Sequence, residues 1–157
     1  MNVHQTRTLD GTAQVAFPEL FGALCDTKIA TAKAQTYHWN VTGMAFQPLH
    51  TLFQEIYEDH FVAQDLLAER LRALGGYVDG RLATAGKVAS LEECDGMIPA
   101  KDMVRNLAHD QRRLSQAMLN LAKTASAQLD EVTNDVAIER AGVHDKFAWM
   151  LSAHLAD

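Results

Sequence analysis

The stretch PLHTLFQEIYEDHFVAQDLLAERLRALGG, residues 48–76, decides the fold. Its apolar stripe is Leu49, Leu52, Phe53, Ile56, Phe61, Leu67, Leu71 and Leu74. Most recur at steps of three and four, the signature of one amphipathic helix. Pro48 suits a first helical turn, and Gly75-Gly76 is a glycine stop. A helix this long outlasts the average globular helix twofold.

Three further segments of similar length flank it. The first begins near Phe17-Pro18-Glu19, carries Leu20, Leu24, Thr27, Ala30, Thr31 and Ala34, and ends around Val41-Thr42-Gly43. The third starts near Pro99 and reaches about Ser126. The fourth starts at Leu129 or Asp130 and runs to about Leu155, with Val132, Val136, Phe147, Trp149, Met150 and Leu151 as apolar members. Between the second and third lies a linker from Tyr77 to Gly96, in which LATAGKVASL is predicted to form a short helix. Four long helices with one long middle connection describe an all-α four-helix bundle of ferritin-like topology, because that connection can cross the length of the bundle. Residues 17–157 are expected to form this single domain, and residues 1–16 a flexible tail.

The chain has 157 residues, enough for a sizeable core. Apolar residues make up 48% and charged residues 22%, which places it among ordinary globular proteins. No stretch has the apolar run of a signal peptide or of a membrane span, so a cytoplasmic location is expected. Cys25 and Cys94 stand alone without CxxC spacing and read as reduced thiols.

The second helix carries another stripe. His50, Gln54, Phe61, Asp65 and Glu69 cluster around its axis beside the core stripe. Asp65 and Glu69 are four residues apart, so both carboxylates can reach one ion. His50 is too far away to join them, since it lies about 22 Å along the axis from Asp65 at the helical rise per residue. Symmetry removes the obstacle. His50 and Glu69 lie equally far on either side of the helix position between residues 59 and 60, and so do Gln54 and Asp65. Two copies packed antiparallel about a two-fold axis there bring His50 of one chain to Asp65 and Glu69 of the other, twice over. Phe61, next to the axis, supplies apolar burial. His38, in the HWNVTG turn, lies at the same end of the bundle as His50. Two imidazoles and two carboxylates suit Fe(II), with Zn and Mn as competitors. The absence of thiolates disfavours a structural zinc site.

At these residues the sequence resembles the Dps family, the DNA-protection-during-starvation proteins of the ferritin superfamily. The matching text is YHWNVTGMAFQPLHTLFQEIYED, DLLAERLRALGG and HDKFAWMLSAHLA, and the likeness covers about residues 17–157. The resemblance implies that His38, His50, Asp65 and Glu69 are ferroxidase ligands at a dimer interface. It implies a hollow twelve-subunit shell that oxidises Fe(II), preferably with hydrogen peroxide, and stores ferric mineral, so protecting DNA. It also implies an iron-entry pore lined by Glu131 and Asp135. The chain departs from the family at Gln54, where many members carry an acid. A neutral amide is a weaker iron ligand, so a second iron position there is expected to be weak or bridged by water. Two other readings fit the residues taken alone: a nucleoid-associated DNA-binding protein whose dimer stripe is structural, and a cage that sequesters Zn or Mn without oxidising anything.

Net charge separates the first of these. The chain carries −6, and twelve such chains carry −72. The N-terminal stretch offers only Arg7. Phosphate binding needs several cations per site, so DNA binding is expected to be weak or absent. An electrophoretic shift assay at physiological salt should leave duplex DNA unretarded; a salt-resistant shifted band contradicts this expectation.

Overall fold

A computed structural model describes residues 18–156, which fold into five helices with no strand among them. These are α1 (Pro18–Asn40), α2 (Phe46–Ala73), α3 (Leu82–Val88), α4 (Ala100–Ala127) and α5 (Glu131–Ala153). The expected tail, residues 1–16, lies outside the described residues. α3 falls inside the segment expected to form a short helix in the crossover. Among the described residues no helix is long and apolar enough to cross a membrane.

α1 packs along α2, and α4 along α5, with α1 also against α4. At one end Leu20, Leu24, Leu67, Leu71, Met118 and Leu121 meet, and at the other Tyr37, Phe53, Ile56, Leu107, Phe147 and Leu151. The C-terminal half of α2 therefore lies beside the C-terminal half of α4. The two run parallel, which only a connection spanning the bundle permits. Asp26 on α1 pins that connection, accepting from the Ser90 and Leu91 amides at 2.6 and 2.9 Å.

The helix ends follow local chemistry. α2 begins two residues before Pro48, because the Phe46 amide donates to the Gly43 carbonyl at 3.0 Å and Gly43 takes φ +103°. Pro48 then sits in the first turn, where an amide has no helical acceptor to lose. At the other end Gly75 takes φ +89°, and the Gly76 amide donates to Leu71 at 3.0 Å. That pairing caps the carbonyls that a helix terminus leaves open. Asp130 caps α5 by accepting from the Thr133 amide at 3.1 Å.

α2 and α5 meet along little of their length, and polar ties hold them. Arg70 donates to Asp130 at 2.6 Å and to Thr133 at 2.7 Å. Arg140 donates through two nitrogens to the two Asp59 oxygens, at 3.0 and 2.6 Å. The Arg140 side chain is 8% exposed and Asp59 28%. Removing the carboxylate leaves a guanidinium in a low-dielectric site without its counter-ion, which costs far more than losing an exposed pair. Asp59→Ala should lower stability by about 3 kcal/mol in urea unfolding; a loss below about 1 kcal/mol, the ordinary worth of a surface pair, contradicts the role assigned to this tie.

Candidate metal centre

His38 ends the buried face of α1, and His50 lies in the second turn of α2. The 41–45 turn folds the two helices back so that the imidazoles stack, with centroids 3.7 Å apart and planes 20° from parallel. Each ring donates from Nδ1 to the other residue's backbone carbonyl, both at 2.8 Å. A carbonyl only accepts, so each Nδ1 must carry the proton. In the neutral ring Nε2 is then left with its lone pair, the state a metal ligand needs. Phe46 stacks on the outer face of His50 at 5.0 Å, and Tyr57 meets His38 edge-on at 5.3 Å. The pair is thus fixed in both tautomer and orientation before any ion arrives.

Asp65 and Glu69 lie one turn apart farther along α2, both exposed. Among the described residues neither makes a hydrogen bond or ion pair. The neighbouring cations are turned elsewhere, Arg70 to Asp130 and Arg72 to the Gly76 carbonyl. Around the carboxylates the surface is apolar. Phe61 is 70% exposed and Val62 69%, with Leu66 beside them. A cavity of about 470 Å³ opens between this face and α1, lined by Leu24, Phe61, Val62, Asp65, Ala68 and Val78 and by the polar Lys28 and Gln64, the Lys28 ammonium donating to the Gly80 carbonyl at 3.3 Å. Phe61 therefore belongs to the outer stripe and not to the core of the protomer.

One chain does not bring the histidines to the carboxylates. The straight α2 keeps His50 and Asp65 about 22 Å apart, and among the described residues no three His, Cys, Asp or Glu side chains gather to hold a metal ion. Gln54 lies between the two groups and gives its amide N–H to Glu58 at 2.7 Å, which leaves its carbonyl oxygen as the available donor atom. Glu131 and Asp135 are exposed one turn apart at the start of α5. Asp130, next to them, is engaged structurally instead. Its partial burial works against ionisation, but hydrogen bonds from Thr133 and Arg70 hold its carboxyl below the usual range. Trp39, beside His38, is 69% exposed. The cysteines are free thiols, Cys94 half-buried and Cys25 in the core, where burial and the Asp26 charge push its thiol up to about 11.

Sequence reasoning missed a polar group in the middle of the bundle. His60, Gln111 and His144 are wholly buried and hydrogen-bonded to one another. The signal was present, because His60 follows Ile56 by four and Phe53 by seven, on the core stripe of α2.

The family model for the ferritin-like domain matches residues 21–157. The DNA protection during starvation protein of Helicobacter pylori is 33% identical over 132 residues, covering 83% of this chain and 92% of that one. The crystal structure of Dps from Staphylococcus aureus superposes with a TM-score of 0.85 at 30% identity, over 88% of this chain and 93% of that one. The Dps protein of Vibrio cholerae O1, described as a member of a broad superfamily of ferritin-like diiron-carboxylate proteins, gives 0.84 at 27% identity, over 88% and 87%. With its crossover bundle and its split set of nitrogen and oxygen donors, the chain belongs to the Dps family of ferritin-like proteins.

Proposed function

We propose that two copies of this chain pair antiparallel through α2 and so complete a ferroxidase site, with His38 and His50 from one chain and Asp65 and Glu69 from the other. The observation that carries this reading is the reciprocal lock of the two imidazoles. These hydrogen bonds tie the end of α1 to α2 and, by committing both Nδ1 protons, leave both Nε2 atoms bare as ligands. The exposed, unpartnered carboxylates in an apolar surround supply the complementary half. Burying Phe61, Val62 and Leu66 against a second copy provides the driving force at about 25 cal/mol per Å².

Fe(II) is the substrate that suits these donors. Two Fe(II) ions each give one electron to hydrogen peroxide. With two protons taken up, the O–O bond breaks and two water molecules form, so no hydroxyl radical is released. The carboxylates stabilise the ferric product by charge, and the apolar rim keeps bulk water from the donors. Gln54 offers only a neutral carbonyl, so the second ion beside His50 is held more weakly than the first, and pairwise delivery of the two electrons depends on its binding. Trp39, exposed next to His38, either quenches a stray oxidising equivalent or packs against a second copy. The dimers assemble into a shell of twelve that stores ferric mineral in a cytoplasmic setting. Glu131 and Asp135 draw cations into its pores by raising their local concentration. Zn and Mn compete for the same donors.

His50→Ala or Asp65→Ala should slow Fe(II) oxidation by peroxide by at least about tenfold, as loss of a first ligand to a reacting ion does. Ferric absorbance after mixing measures this, and a wild-type rate in either variant removes the ligand assignment. Asn at both Glu131 and Asp135 should slow iron uptake while the shell, sized by light scattering, stays intact. Unchanged uptake kinetics remove the pore role.

A further inference from the structure

Midway along the bundle, between the two apolar clusters, α2, α4 and α5 each contribute a buried polar side chain. His144 donates from Nδ1 to the Gln111 carbonyl oxygen at 2.8 Å. His60 Nε2 lies 3.3 Å from both the Gln111 amide nitrogen and its carbonyl oxygen, so it either accepts from the one or donates to the other. The imidazole rings meet edge to face with centroids 5.3 Å apart. Among the described residues His60 Nδ1, His144 Nε2 and Arg140 Nε have no partner, and all three are buried. In either arrangement a fully protonated ring puts an N–H on His60 Nδ1 or His144 Nε2, where no acceptor waits among the described residues, so protonation gains no hydrogen bond inside the closed bundle.

We propose that His60 and His144 form a proton-binding site in the bundle core that couples acidification to release of α2 from the α4–α5 pair. The inference rests on the fold and goes beyond the reading of the metal centre, but α2 is the helix that carries His50, Asp65 and Glu69. The charges nearest the site oppose one another, and burial decides. From α5, Arg140 faces both rings. From α2, Asp59 faces His60 but is held by two Arg140 nitrogens. From α4 comes the neutral Gln111, while Asp110 next to it is closed on Lys33 of α1 at 2.6 Å. A second proton on His144 therefore finds Arg140, the other imidazole and no carboxylate among the described residues, while on His60 the Arg140-bound Asp59 only partly offsets burial.

Burial, opposed by Asp59 and by the Gln111 hydrogen bond and reinforced by Arg140, presses His60 down to about 4. Burial, then His60 and Arg140, presses His144 down to about 2. Once α2 lifts and water reaches the rings, both return toward about 6.5. The open form thus binds more protons than the closed form below that pH. The closed state is at full strength above about pH 6.5 and weakens as pH falls toward 4, by up to about tenfold per pH unit for each histidine.

Hydrogen exchange on the assembled protein, read by mass spectrometry and corrected for intrinsic rates, tests this. Between pH 6.5 and pH 5 the α2 amides of the wild type should lose at least about tenfold in protection, ahead of α1. The double variant His60→Leu/His144→Leu should keep its α2 protection over the same interval. Wild-type protection that does not change, that falls equally in all helices, or that falls as much in the variant overturns the proposal. If the leucine variant does not fold, His60→Gln takes its place, since an amide fills the polar site without titrating. Fe(II) oxidation at pH 7 should be unchanged in either variant, so a failure here is distinguishable from a failure of the metal-site reading.

Discussion

A straight helix is a ruler, and the structure depends on that fact. α2 holds His50 at one end of its outer stripe and Asp65 with Glu69 nearer the other, and no loop or kink lets them approach. Everything proposed about chemistry follows from this rigid separation. A bundle that keeps its donors apart cannot bind a transition ion strongly alone, yet it presents both halves of a coordination shell on one surface. Symmetry turns the separation into a register, because the donor groups lie evenly about the middle of the helix.

The ends of the ruler are prepared differently. The imidazoles are immobilised by mutual hydrogen bonds through backbone carbonyls, with aromatic rings on their outer faces. The carboxylates are left free, and the neighbouring arginines are drawn away to Asp130 and Gly76. This asymmetry has a physical logic. An imidazole ligand must be held in the right tautomer, whereas a carboxylate offers two equivalent oxygens and needs only an open approach. The apolar residues between them, Phe61, Val62 and Leu66, are costly in a solitary protomer and favourable when covered.

Much of the fold was legible in the sequence because the helices are long and their cores strongly periodic. Leu67 and Leu71 fall where the spacing puts them, and Gly75 stops α2 by taking a backbone conformation that other residues resist. The start of α2 was legible only to within a turn. Pro48 marks the first turn of a helix without saying which residue begins it, and the Gly43 turn brought the start forward to Phe46. Phe61 was read with both stripes, since one apolar residue between two faces has no periodic signature of its own. The candidate ligands could be listed from their types and spacing, but the bonds that fix the imidazoles could not. Those bonds join side chains to backbone carbonyls across a turn, and composition carries no trace of them. The His60–Gln111–His144 chain escaped for a related reason. A polar residue on a core stripe is informative only once its partner on another helix is known.

The central claim is that neighbouring chains each supply half of one coordination shell, and complementation measures it directly. Subunits carrying His38→Ala with His50→Ala are refolded together, in equal amounts, with subunits carrying Asp65→Ala with Glu69→Ala. Each homogeneous preparation should oxidise Fe(II) no faster than buffer. The mixture should recover about a quarter of the wild-type rate, because random isologous pairing leaves one site whole in each mixed dimer. A co-assembled mixture that stays as inactive as its parents, or a solitary wild-type protomer that oxidises Fe(II) at the full rate, would contradict the account.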